Sequence, residues 1–204
     1  NGSPVALILG DNLFHGHEFI KQLNKANNLI ELSTVFAYPV LDPQRYGVVV
    51  FDNEGNAIKI EEKPEKPSSR FAITGLYFYD SSIVDKAKKI SPSRRGELEI
   101  TSINQLYLQE RRLKVQLMGR GMAWLDTGTF DSLHEAGAFI KTLENRQGLK
   151  IGSPEEVAWR NCWIDNDQLK KKANQYINSG YGDYLFGLIS SSNSNLFKKD
   201  FDIN

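Results

Sequence analysis

Two aspartates far apart in the chain share one setting. Asp11 stands in Leu9-Gly10-Asp11-Asn12, and Asp126 in Trp124-Leu125-Asp126-Thr127-Gly128-Thr129. Each follows an apolar run, where a strand is expected to end, and α/β sheets collect ligands outside the carboxyl ends of their strands. Two carboxylates meeting there would suit Mg²⁺, which takes hard oxygen ligands and usually shares them with substrate phosphates. Between them, Glu61-Glu62-Lys63-Pro64 sets acid and base side by side on a strand-like stretch. Neighbours on a strand face opposite ways, so Glu62 and Glu61 cannot serve one pocket together. The set points to chemistry on a phosphorylated polar substrate. Taken singly, each Asp is equally well explained as a turn cap, and each Glu or Lys as a solvated surface charge.

The elements that must position these residues are legible in outline. Val5 to Leu9 is an unbroken apolar run, expected to be a strand buried on both faces as in a parallel sheet. Glu18 to Ile30 has helical spacing. Leu32 to Val40 reads as a strand, 47–52 and 57–61 as a hairpin around an Asn/Gly turn, and Phe71 to Tyr79 as an aromatic strand. Helices are expected over Ser81 to Ile90, Leu98 to Arg111 and Thr129 to Asn145, with short strands at Val115 to Met118 and Ala123 to Leu125. This order favours an α/β fold with a mixed, mostly parallel Rossmann-like sheet flanked by helices. After Gly152, three short helical stretches have no strands between them. The expected organisation is therefore an α/β domain over 1–150, a helical appendage over 151–189 and a disordered polar tail over 190–204. No glycine-rich phosphate turn follows the first strand, and Gly119-Arg120-Gly121 is too short to be one.

Composition narrows the class. The 204 residues carry 25 basic and 25 acidic side chains, a balance that gives no footprint for nucleic acid. No apolar run approaches the length of a bilayer span, and no signal peptide opens the chain. The lone cysteine, Cys162, rules out an intrachain disulfide and suits a reducing cytosol. His15 and His17 lack the further ligands that zinc requires.

In order and spacing, the chain resembles the sugar-1-phosphate nucleotidyltransferases, and among them the branch that joins glucose 1-phosphate to dTTP at the start of dTDP-L-rhamnose synthesis. The matching text includes Leu9-Gly10-Asp11-Asn12, Arg45-Tyr46-Gly47-Val48, Glu61-Glu62-Lys63-Pro64, Thr74 through Asp80, Arg95 through Thr101, Trp124 through Thr129, and Pro154-Glu155-Glu156. It covers about residues 5–189. The family's glycine-rich loop, with the Arg and Lys that grip the triphosphate, has no counterpart. A missing N-terminal nucleotide-binding portion is therefore expected, and with it a chain inactive by itself.

The resemblance implies Mg²⁺ on Asp11 and Asp126, and a sugar phosphate facing Lys63 and Arg95. Substrate would be lined by Leu9, Tyr46, Gly47, Glu62, Ile73, Gly75, Tyr77 and Trp124. The last two aromatics are as readily plain core. It also implies a second, regulatory nucleotide site on Gly16, Gly119, Arg120, Glu156 and Arg160, which could equally be ordinary ion-pairing positions, and a homotetramer. Two other functions stay open: a UTP-dependent uridylyltransferase, because the base-reading segment is absent, and a non-catalytic oligomerisation or regulatory piece.

Overall fold

The computed structural model describes residues 2–29, 31–93 and 95–191. The chain divides into two compact units, Asn1–Leu133 and His134–Asn204. In chain order the first unit holds β1 (Val5–Ile8), β2 (Asn12–His15), α1 (Phe19–Asn27), β3 (Ser33–Pro39), β4 (Gly47–Phe51), β5 (Ala57–Glu62), β6 (Phe71–Tyr79), α2 (Ile83–Ala87), α3 (Ile100–Gln109), β7 (Leu113–Leu117) and β8 (Ala123–Asp126). A longer helix, α4 (Phe130–Gln147), begins at its end, and α5 (Pro154–Arg160), α6 (Asn166–Gln175) and α7 (Gly180–Ser191) follow in the second unit.

The main sheet runs β5-β4-β6-β3-β7, with β1 also paired to β6, while β2 and β8 form a separate two-stranded ribbon. It is an α/β fold with a mixed sheet, as expected. The pairing balance differs from expectation: β3–β7 is the one parallel ladder among the described residues, and the others are antiparallel. The physical reason is connectivity. The hairpin β4–β5 and the reversed strand β6 impose antiparallel neighbours on both sides.

Strand β6 organises the unit. Along one edge it pairs with β3 over nearly its full length. Its other edge is shared: Phe71 and Ala72 pair with β4, and Leu76 to Tyr79 with β1. Between these two partners the edge is open to other groups, and the site described below is built there. Alternation on β3 and β6 sends side chains into two cores. Val35, Ala37, Ile73, Tyr77 and Tyr79 pack with Ile103 and Tyr107 of α3. Phe36, Ala72 and Leu76 pack with Ala26 of α1, Met118, Met122 and Trp124. Complete burial of Phe36 and Tyr107 alone represents several kcal/mol of transfer free energy, at roughly 1.5–3 kcal/mol per large side chain.

Two strands differ from the sequence reading. The first apolar run is a strand, but its side chains are exposed, Ile8 by 56%, because β6 is its only strand partner among the described residues. Strand β2 was not expected at all. Its four residues are too few to show a period, and its pairing with distant β8 carries no local signal.

The second unit has its own small core of Leu169, Ala173, Leu185 and Leu188. Ser153 caps α5 by accepting from the Glu156 amide. At α6, Asp165 and Gln168 form a reciprocal capping box, at 2.8 and 2.9 Å, which satisfies donors the helix cannot bond internally. The polar tail lies, from residue 192 on, outside the described residues.

Candidate active site

The open stretch of the β6 edge is claimed by the turn before β2. The Leu9 amide donates to the Gly75 carbonyl at 2.8 Å, and the Gly75 amide donates to Asn12 Oδ1 at 2.9 Å. Gly75 is required here: a Cβ would lie 2.6 Å from Asn12 Cγ, closer than real carbon contacts allow. The β2–β8 ladder then sets Asn12 opposite Asp126. Just beyond it, Asp11 O accepts from Thr127 through its amide at 2.8 Å and its hydroxyl at 2.9 Å. The backbones carrying Asp11 and Asp126 are therefore zipped side by side although the sequence holds them far apart. Asp11 is exposed, and the Asp126 side chain keeps 18% exposure with Arg45 Nη2 at 3.4 Å from its Oδ2.

Among the described residues no group of three or more His, Cys, Asp or Glu side chains is arranged to hold a metal. The local donors are instead two accessible carboxylates with hard oxygens and no sulfur. That donor set fits Mg²⁺, which keeps waters and substrate phosphates in its remaining positions.

A second cluster forms at the ends of β4 and β5. Gly47 pairs with Glu62, and the Lys63 amide extends the ladder to the Tyr46 carbonyl at 3.0 Å. Glu62 accepts a hydrogen bond from the Thr101 hydroxyl at the start of α3. Arg95 reaches it as well, at 4.0 Å, while pairing with Glu97 at 3.0 Å and Glu99 at 3.6 Å. Position 47 must lack a side chain, since a Cβ would come within 2.9 Å of Thr101 Oγ1. Glu61 turns the other way, held by Lys59 at 2.6 Å and Ser68. The bond from Lys59 comes first among the causes that keep its carboxyl below the usual range.

Lys63 is exposed and takes φ +39°, a left-handed conformation that costs a non-glycine residue roughly 1–2 kcal/mol. Among the described residues no carboxylate lies within ion-pair distance of its ammonium. A cation on a strained backbone is where observed geometry points to function.

Aromatic side chains link the clusters. Tyr77 is 3% exposed. Burial pushes its phenol up, and the Glu62 and Asp11 carboxylates add to that. Tyr46 stands edge-on to Trp124 at 5.0 Å between ring centroids, beneath the Arg45 guanidinium. Its phenol is raised to about 12 by burial, opposed by Arg45 and reinforced by Asp126. Trp124 is 8% exposed and donates its indole N–H to Asn12 Oδ1 at 2.6 Å. Ile73 and Tyr77 contribute mostly to the core, and Leu9 remains 40% exposed.

Of the positions expected for a regulatory nucleotide, Gly16 contacts the turn after Gly119 in the first unit, with Gly121 O 2.9 Å from where its Cβ would be. In the second unit Arg160 Nε donates to Glu156 Oε1 at 2.8 Å, and Glu156 also accepts from Tyr184. Sequence reasoning missed Asn12 and Thr101 as parts of the site. Thr101 lay inside the Arg95–Thr101 match but was assigned no role, and nothing in its residue type distinguishes it from an ordinary helix N-terminal threonine.

The nucleotidyl transferase family model matches residues 1–142. The glucose-1-phosphate thymidylyltransferase of Mycolicibacterium smegmatis is 50% identical over 185 residues, covering 91% of this chain and 64% of that protein. The enzyme of the same name from Neisseria gonorrhoeae is 50% identical over 189 residues, covering 93% and 65%. The chain thus spans just under two thirds of the length of these relatives. Among solved structures, a Bacillus anthracis protein described as a glucose-1-phosphate thymidylyltransferase, in complex with sucrose, aligns with TM-score 0.62 at 37% identity, over 74% of this chain and 58% of that one. A UDP-glucose pyrophosphorylase complexed with UDP-glucose aligns with TM-score 0.58 at 25% identity, over 69% and 57%.

Proposed function

This chain belongs to the nucleotidyl transferase family, and we propose that within it the chain carries the sugar-phosphate and metal-binding part of a glucose-1-phosphate thymidylyltransferase. The reaction would join glucose 1-phosphate to dTTP, releasing pyrophosphate. The observation that carries the proposal is the pairing of the backbones that carry Asp11, in the turn before β2, and Asp126, at the end of β8, together with the gathering of Glu62, Lys63 and Arg95 at the end of β5. The names of relatives at about half identity support the choice of substrates.

The attacking group is a phosphate monoester, already mostly dianionic at neutral pH, so no general base is needed. What the protein must supply is alignment for in-line attack and relief of repulsion between two anions. Asp11 and Asp126 would hold Mg²⁺, which supplies Lewis-acid neutralisation of phosphate oxygens. Lys63, without a carboxylate partner among the described residues, offers a point charge to the sugar phosphate, and Arg95 offers a fork that can exchange its carboxylates for phosphate oxygens. Glu62, fixed by Thr101, accepts from sugar hydroxyls, and the bare backbone at Gly47 lets the sugar approach closely.

A homotetramer, a cytosolic setting and a place at the start of dTDP-L-rhamnose synthesis belong to the same proposal. The test is pyrophosphate release by the full-length protein with glucose 1-phosphate and either dTTP or UTP. Preference for dTTP supports the reading. Preference for UTP would move the chain to the uridylyl branch, and no release with either would end the enzymatic reading.

A further inference from the structure

The Asn12 side chain joins three parts of the site. Its Oδ1 accepts from the Gly75 amide at 2.9 Å and from the Trp124 indole at 2.6 Å. Both partners are donors only, so the oxygen must face them and the NH₂ must face the other way. That NH₂ donates to Asp11 Oδ1 at 2.9 Å. The amide cannot be flipped without setting donor against donor twice. Gly75, in the buried centre of β6, has no side chain where the amide sits, and a Cβ there would be 2.6 Å from Asn12 Cγ. The sheet edge, the indole and the missing Cβ thus fix one orientation of one side chain. Among the described residues, the Asp11 carboxylate accepts from no other group. Without Asn12 this exposed carboxylate would be free to rotate.

We propose that Asn12 is a positioning residue: it aims the Asp11 carboxylate toward Asp126, its own cross-strand neighbour, so that the acidic pair is formed before a divalent cation arrives. The inference rests on the metal-binding reading of Asp11 and Asp126 given above and adds a residue outside that set. In this role Asn12 acts through Asp11. Groups that orient a metal-binding side chain typically change affinity or activity tenfold to a hundredfold when removed.

The test is direct titration of the full-length protein with Mn²⁺, which shares the oxygen-ligand preference of Mg²⁺, followed by electron paramagnetic resonance. The set is wild type, Asn12→Ala, Asp11→Asn and the double variant. Asn12→Ala is expected to weaken Mn²⁺ about tenfold or more, and to lower kcat while the KM for glucose 1-phosphate stays within about twofold, since the sugar-phosphate residues are untouched. In the Asp11→Asn background the same substitution should cost almost nothing further, because Asn12 would have no carboxylate left to aim. Wild-type Mn²⁺ affinity in folded Asn12→Ala, or an equal loss in both backgrounds, would overturn the proposal and leave the metal site standing. Wild-type protein that binds Mn²⁺ no better than Asp11→Asn would overturn the metal reading and this proposal with it. If Asn12→Ala does not fold, Asn12→Ser keeps a short acceptor near the Gly75 amide and takes its place. Loss of cooperative folding in both would assign Asn12 to the fold alone.

Discussion

Thr101, at the start of α3, donates its hydroxyl to the Glu62 carboxylate at the end of β5, and the space between them is kept by the absent side chain of Gly47. A helix thereby fixes the rotamer of an acid on a strand. Thr101→Val keeps the shape and removes the donor. The expected result is a rise in KM for glucose 1-phosphate worth about 1.5–3 kcal/mol, the range for a hydrogen bond to a charged group, with the KM for dTTP unchanged. Steady-state kinetics with each substrate varied in turn would check it, and equal changes in both KM values would contradict it.

Lys63 separates stability from function. Its φ of +39° suits glycine, so Lys63→Gly should relieve strain and stabilise the protein by about 0.5–1 kcal/mol after the added flexibility of the unfolded chain is counted. The same change removes the cation that we propose meets the sugar phosphate. A higher urea midpoint with sharply weakened glucose 1-phosphate binding is the expected pair of results. A lower midpoint would show that the conformation is not strained.

Asp80 predicts the acid limb of stability. Burial alone would raise its carboxyl, but bonds from Ser82 and Tyr107 and the nearby Arg112 guanidinium outweigh it, so the pKa lies below the ordinary 3.8. A depressed folded-state pKa contributes stability that is present above the unfolded value and lost as pH falls through the folded one. Asp80→Asn should therefore cost about 1–3 kcal/mol near neutrality, and the gap to wild type should begin to narrow only below about pH 4 and go on narrowing as pH falls through the lowered folded-state value. Urea unfolding across pH 3–7 checks this. A gap independent of pH would contradict the assignment.

Gly75→Ala tests the seat of Asn12 independently of catalysis. A methyl group 2.6 Å from Asn12 Cγ must displace the amide or the strand. Overpacking of this kind costs about 1–3 kcal/mol, readable in the urea midpoint. An unchanged midpoint would mean that the β6 edge yields freely.

These relationships mark where sequence was informative and where it stopped. Strand β6 could be bounded from its aromatic, β-branched run, and it occupies the expected Phe71–Tyr79. The β4–β5 hairpin followed from its Asn/Gly turn, and the opposed directions of Glu61 and Glu62 from strand alternation. Burial of β1 could not be read, because an apolar run reports preference and not how many partners a strand acquires. Helix α2, expected over Ser81 to Ile90, is only Ile83–Ala87. Ser82 and Asp80 redirect its first turn into the network that joins buried Asp80 to Tyr107 and Arg112, a tertiary effect with no local signature. The acids and the Lys63 cation were legible by type and by motif. Asn12 and Thr101, which hydrogen-bond Asp11 and Glu62, were not, because their settings exist only once β2 meets β8 and α3 meets β5.

The most direct measurement is the rate of pyrophosphate release from dTTP and glucose 1-phosphate by the full-length protein and its Asp126→Asn variant, at saturating Mg²⁺. Loss of one electrostatic stabiliser should cost about 3 kcal/mol of barrier, roughly a hundredfold in kcat. An unchanged kcat would contradict the joint role of Asp11 and Asp126 on which the functional reading stands.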